Sequence, residues 1–301
     1  MIWPEGKKFA FTIVDDTDNS QLRNIRPLYQ FLERIGIRST KTVWPYHTEP
    51  DHEYSNADTL QEHDYAAFVQ WLQSSGFEIA YHGARGSSSE RPVNLAGLQA
   101  YNEVLGNFPR IHVNHARNED NLYWGHQYYP PLLRWILLFR NQSEYNGKGH
   151  IKGLPWFWGD AAQKYIQYVR GFVFSDINTL KADPYMPYHR RSTPYVNNWF
   201  SSSDAGQAQT CINLLSRDNI DRLEAEEGAC ILYTHFGNPG FTDASGELVP
   251  ELKEAFRYIT SKNGWFVPAS TLLDYIGSSR RRWLSFNRFL LLFLRQKKYD
   301  I

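Results

Sequence analysis

The sequence predicts an α/β fold built on a mainly parallel sheet, and two observations carry that prediction. Short apolar, β-prone runs alternate with helical patterns along most of the chain. Four of the runs end in aspartate or histidine. In parallel α/β folds the carboxyl ends of the strands form the active-site face, so this placement is itself a functional signal.

Taken in order, residues 9–14 (Phe-Ala-Phe-Thr-Ile-Val) read as a buried strand that delivers Asp15 and Asp16. Ser20 is placed to cap a helix running through Leu28, Phe31 and Ile35, which Gly36 stops. Residues 38–44 form a short β-prone run, and 46–59 a polar loop. Ala66, Phe68, Val69 and Leu72 give residues 63–75 an amphipathic helical pattern. After Gly76, residues 77–81 read as a strand ending in His82, and 95–105 as a helix. Residues 110–113 are a strand ending in Asn114 and His115. Helices are predicted over 130–139, begun by prolines, and over 160–170, 218–227, 250–261 and 270–276. Strands are predicted over 229–234, ending in His235, and over 265–268. Residues 116–205 are long and irregular, and are expected to form insertions over the active-site face.

Composition narrows the function classes. The 301 residues carry 32 basic and 32 acidic side chains, which gives no global attraction to nucleic acid or acidic polymers. With 42% apolar residues the chain can bury a substantial core, and one domain over 1–278 is expected. The two cysteines, Cys211 and Cys230, make neither a disulfide framework nor a metal-finger spacing. Ten Trp, 19 Tyr and 18 Phe are many, and those in loops offer flat faces to sugar rings or pin the loops themselves. No signal-peptide pattern precedes the first strand, so the expectation is a cytoplasmic protein.

Four segments carry chemistry: Asp15-Asp16-Thr17-Asp18, His82-Gly83, Asn114-His115 and Thr234-His235. Hydrolysis of an amide or ester needs an activated water and a stabilised oxyanion. A divalent ion, a carboxylate base and an imidazole acid supply both. Each member read alone has a plainer explanation: a polar turn, a helix cap at Asp18, or a hydrogen-bonded structural histidine. Their joint occurrence at strand ends favours the chemical reading.

In these four segments the chain resembles the polysaccharide deacetylases of the carbohydrate esterase family four type, in an uncharacterised branch. The resemblance spans roughly residues 8–275. It implies a distorted parallel (β/α) barrel with fewer strands than eight, and one divalent ion, zinc before others. It also implies that Asp15 is the general base, Asp16 and His82 are metal ligands, and His235 is the acid that protonates a leaving amine. The reaction implied is removal of an acyl group, N-acetyl above all, from a sugar of a surface polysaccharide or its precursor. The chain departs from the family where a second histidine is expected four residues after His82, for Gly86 stands there. His115 is the proposed replacement ligand, ahead of His112. Arg85, Asn114, Tyr123 and Trp124 are the candidate substrate contacts; Asp204 is read as a helix cap. A glycan-binding module without turnover is the alternative, as is a membrane-surface scaffold.

The last segment, 279–301, reads as a basic amphipathic helix. Arg280, Arg281 and Arg282, then Arg295, Lys297 and Lys298, bracket an apolar run from Trp283 to Leu294 that is too short to span a bilayer. Such a helix either packs on the domain or lies at the inner face of a membrane.

Overall fold

The computed structural model describes residues 2–129, 147–278 and 283–296. The helix expected over 130–139 lies outside the described residues.

Eight strands form one sheet, and every pairing between them is parallel. They are β1 (Phe9–Asp15), β2 (Thr40–Val43), β3 (Glu78–Tyr81), β4 (Ile111–His112), β5 (Tyr168–Phe174), β6 (Asn198–Ala205), β7 (Ala229–Thr234) and β8 (Gly264–Phe266). β1 pairs with both β7 and β2, so β1 to β7 close a ring. β8 pairs with residues 9–11 of β1 while β2 pairs with Val14 and Asp15, so the two share one edge of β1. The result is a distorted parallel barrel of seven strands with an eighth wedged at its amino-terminal end. β1 and β7 are apolar over nearly their whole length, as strands covered on both faces must be.

The helices cover the ring: α1 (Leu22–Arg34), α2 (His63–Ser74), α3 (Arg91–Leu105), α4 (Gly159–Tyr165), α5 (Thr179–Ala182), α6 (Ala208–Leu214), α7 (Arg217–Ala225), α8 (Pro250–Thr260), α9 (Ala269–Gly277) and α10 (Phe286–Arg295). Most expected elements fall within a few residues of these bounds. The exception is the middle of the chain. The helix expected over 160–170 stops at Tyr165, and its second half belongs to β5. Residues 116–205 are therefore more than an insertion, because they supply two of the barrel strands, β5 and β6. Asp204 is not a helix cap but a buried residue of β6, whose Oδ1 accepts from the Gly206 N–H at 3.2 Å. Helix α10 packs inward through Phe289 and Leu292, with Phe289 against Tyr128 and Phe172.

Candidate metal centre

The carboxyl ends of β1, β3, β4 and β7, with Arg170 from within β5, surround a cleft of about 410 Å³. Its walls include Asp16, Asp18, His82, Asn114, His115, Arg170 and His235, with Tyr54, Trp124 and Tyr233 as the aromatic surfaces.

The three aspartates at the end of β1 take three different directions. Successive strand residues point to opposite faces, so Asp15 and Asp16 diverge. Asp15 turns toward α1, fully buried. It accepts from Tyr29 Oη at 2.8 Å and from the Phe236 N–H at 2.7 Å, and lies 3.1 Å from Lys41 Nζ. Burial raises its carboxyl above the ordinary range, although Lys41 and the two donors pull it back. Asp15 does not line the cleft, which corrects the expectation that it acts as the base. Asp16 faces the cleft and is held bidentately by Arg170, at 2.9 Å (Nη1) and 2.6 Å (Nη2). The same guanidinium lies over the Tyr233 ring, 4.0 Å from its centroid.

Asp18 is the hub. Its Oδ1 is 2.7 Å from His115 Nε2, and its Oδ2 is 3.3 Å from His82 Nε2 and 3.4 Å from His235 Nε2. Burial pushes the Asp18 carboxyl up. The charge and hydrogen bond of His115, with His82 and His235, outweigh burial and hold it well below the usual range. Burial likewise lowers His115, and Asp18 reverses that and raises it above the ordinary imidazole value.

His82 shows what this arrangement can hold. A carbonyl oxygen can only accept, so the contact of His82 Nδ1 with Val113 O at 3.0 Å puts the ring's proton on Nδ1. That leaves Nε2 to face the Asp18 carboxylate. Both His82 Nε2 and Asp18 Oδ2 are buried and lack a hydrogen-bond partner. Such a contact, 3.3 Å long, needs either a proton or a metal ion between the two atoms. Asp18, His82 and His115 offer one ligand atom each, all within 4.8 Å of one another. Two imidazoles and a carboxylate form a donor set suited to zinc or a similar divalent ion, with positions left open for water and substrate. Asp16, Asp18 and His235 form a second such group, but both Asp16 oxygens are already engaged by Arg170.

The position four residues after His82 is closed to a side chain. A Cβ on Gly86 would lie 2.8 Å from Thr48 Oγ1 and 3.0 Å from both Trp44 and Tyr54. Those same two rings hold His115, with centroids 5.3 and 4.6 Å away. His112 faces away from the cleft cluster, bonded to Tyr81 O at 3.1 Å and Asn114 Oδ1 at 3.0 Å, and burial lowers it to about 3.

His235 completes the group. Its Nδ1 lies 3.4 Å from Gly206 O, and its Nε2 lies 3.2 Å from Tyr233 Oη and 3.8 Å from Asp16 Oδ2. Two of the expected substrate contacts stand apart. Arg85 pairs with Glu49 at 2.6 Å, outside the lining. Tyr123 is buried and stacks on His150 with centroids 3.9 Å apart. Trp124 and Asn114 do line the cleft. Sequence reasoning missed Asp18 as more than a cap, and Arg170 and Tyr233 altogether. The available signals were the aspartates two apart, and the β-prone run around Arg170 (Tyr-Val-Arg-Gly-Phe-Val-Phe).

Neither a family model nor a curated protein matches the chain by sequence. Solved structures do resemble it. Puue allantoinase superposes with a TM-score of 0.52 at 12% identity, covering 92% of this chain and 93% of that one. A GH57-type branching enzyme from the hyperthermophilic archaeon Pyrococcus horikoshii gives 0.51 at 11% identity, covering 92% and 72%. The chain has their fold. Polysaccharide deacetylases are also among its structural neighbours. The probable polysaccharide deacetylase from Pseudomonas aeruginosa PAO1 gives 0.47 at 11% identity, covering 91% and 92%. One fold here carries proteins named for different reactions, so function has to be argued from the side chains in the cleft.

Proposed function

We propose that the protein is a metal-dependent hydrolase that removes an acyl group, N-acetyl above all, from a sugar of a surface polysaccharide or its precursor. The observation that carries this reading is the buried Asp18, His82 and His115 group, whose ligand atoms lie within 4.8 Å of one another, with His82 Nε2 and Asp18 Oδ2 facing each other at 3.3 Å. Asp18, His82 and His115 would hold the ion. When bound, a zinc-type ion polarises the substrate carbonyl and lowers the pKa of a water to about 7. Asp16, oriented by the Arg170 fork, would serve as the base that accepts a proton from the attacking water. His235, at the end of the neighbouring strand β7, would deliver a proton to the leaving nitrogen. Trp124 and Tyr54 offer apolar faces to the sugar ring beside the carbonyl. The resemblance to polysaccharide deacetylases at the four strand-end segments supports the substrate class.

Native purification followed by metal analysis tests the reading. Near-stoichiometric metal is expected in the wild-type protein, with affinity falling about 100-fold or more in Asp18→Asn and His82→Ala. Acetate release from N-acetylglucosamine oligomers should follow the metal. In Arg170→Met the metal should stay while turnover falls about 100-fold, because only the base loses its orientation. A wild-type protein that takes up no zinc on dialysis would end the proposal. Glycan binding with metal but without acetate release would favour a binding module instead.

A further inference from the structure

Helix α10 breaks the usual rule for a surface helix. Its inner side, Phe289, Leu292 and Phe293, packs on the barrel, as it should. At 3.6 residues per turn, Leu291 and Leu294 fall on the opposite side. They are 49% and 70% exposed. Arg288 and Arg295 run along the edge of this outer apolar stripe, both exposed. Just before the helix Trp283 is 52% exposed, and at its first residue Phe286 is 41% exposed. Trp283, Phe286, Leu291 and Leu294 thus cluster in one short stretch, whereas the other large exposed apolar residues described, Ile2, Leu95 and Leu154, are scattered singly. A helix apolar on both sides is normally covered on both sides.

The charge around this stripe says what covers it. Residues 279–299 contain Arg280, Arg281, Arg282, Arg288, Arg295, Lys297 and Lys298 and no acidic residue, in a chain whose net charge is zero. Beside the helix lies a cavity of about 420 Å³ whose lining includes Arg190, Arg191, Trp283 and Phe286. Arg190 is buried over the Phe289 ring, 4.5 Å from its centroid. It donates to Tyr128 O, and its Nη1 has no hydrogen-bond partner among the described residues. Apolar residues at the level of exposed arginines suit an interface that is apolar below and anionic above.

We propose that α10, with Trp283 ahead of it, docks the protein on the surface of an anionic bilayer. The helix lies in the plane of the interface, with Leu291 and Leu294 at the acyl boundary and Arg288 and Arg295 at the headgroup phosphates. No helix among the described residues is long and apolar enough to cross a membrane, so the attachment is peripheral.

Flotation of the full-length protein with vesicles tests this. The vesicles are phosphatidylcholine alone, or phosphatidylcholine with phosphatidylglycerol. Wild type should float with the phosphatidylglycerol vesicles and release as salt rises. It should bind neutral vesicles at least tenfold less. Leu291→Glu/Leu294→Glu, at exposed positions, should keep the wild-type melting curve and lose at least tenfold in vesicle binding. Failure of the wild type to float on the anionic vesicles overturns the proposal, as does unchanged flotation of the double variant. A dimer by sedimentation that the double variant dissociates, without flotation of either protein, would assign the stripe to a second copy of the chain.

Discussion

Three aspartates within four residues do three separate jobs, and the partner of each decides which. Asp15 meets Lys41 in a fully buried pair. Removing only one charge of such a pair strands the other in a dry interior, at a cost of about 3–5 kcal/mol. Asp15→Asn is therefore expected to lower unfolding stability by that amount while zinc affinity stays within a few-fold of wild type. Denaturant titration alongside calorimetry checks both, and a large loss of zinc with no loss of stability would contradict the assignment. Asp18 and His115 give the pH dependence. Asp18 is held low and is a carboxylate throughout the neutral range, whereas His115 is held above the ordinary imidazole value and keeps its proton longer. A ligand must present its lone pair, so zinc has to displace that proton. Affinity should fall as pH drops below the folded pKa of His115, by up to about tenfold per pH unit for one displaced proton. Zinc titrations across that range would show the slope, and a flat profile would exclude His115 as a ligand.

Packing around the elements explains why no imidazole can stand four residues after His82, while His115, after β4, reaches Asp18. Trp44, Thr48 and Tyr54 fill the space above Gly86, whose N–H donates to Thr48 Oγ1 at 2.9 Å. The same aromatic wall forms the seat of His115. Gly86→Ala should cost about 1–3 kcal/mol by overpacking. It should also weaken zinc binding through displacement of Tyr54 and His115, measurable by thermal melts with and without the ion. Gly86→Ala with unchanged stability would show that the wall yields. The middle of the chain shows how an element can be hidden. Between α4 and β5 there is no proline or glycine to mark the break, and the helical pattern runs on into the strand that carries Arg170. Within that strand, Gly171 is required by close approach, because a Cβ there would meet Tyr128 and Trp199.

At the level of the whole molecule, ring closure brings together side chains from residues 16 to 235. The candidate ligands follow β1, β3 and β4, and the candidate proton carriers follow β1 and β7, so binding an ion would tie separate staves of the barrel together. A ligand that binds only the folded chain stabilises it by about 2.7 kcal/mol at 100 times its dissociation constant. For a domain of this size that amounts to an increase in melting temperature of about 4 °C. Zinc should produce that shift in the wild-type protein and none in His82→Ala; equal shifts in both would place the ion elsewhere.

The alternation of apolar runs and helical patterns was enough to specify a parallel α/β sheet, because period and burial are local properties of sequence. The same runs placed Asp16, His82, His115 and His235 at strand ends, since a chemistry-bearing residue that closes an apolar run needs no partner to be noticed. The direction of each aspartate could not be read this way. Asp15, Asp16 and Asp18 are equivalent as residues and differ only in which distant side chain meets them: Lys41, Arg170 or the imidazoles. Those partners lie 26 to 217 residues away. Only closure of the barrel sets such separations, so the tertiary structure alone separates the aspartate of the buried ion pair from the two that face the cleft.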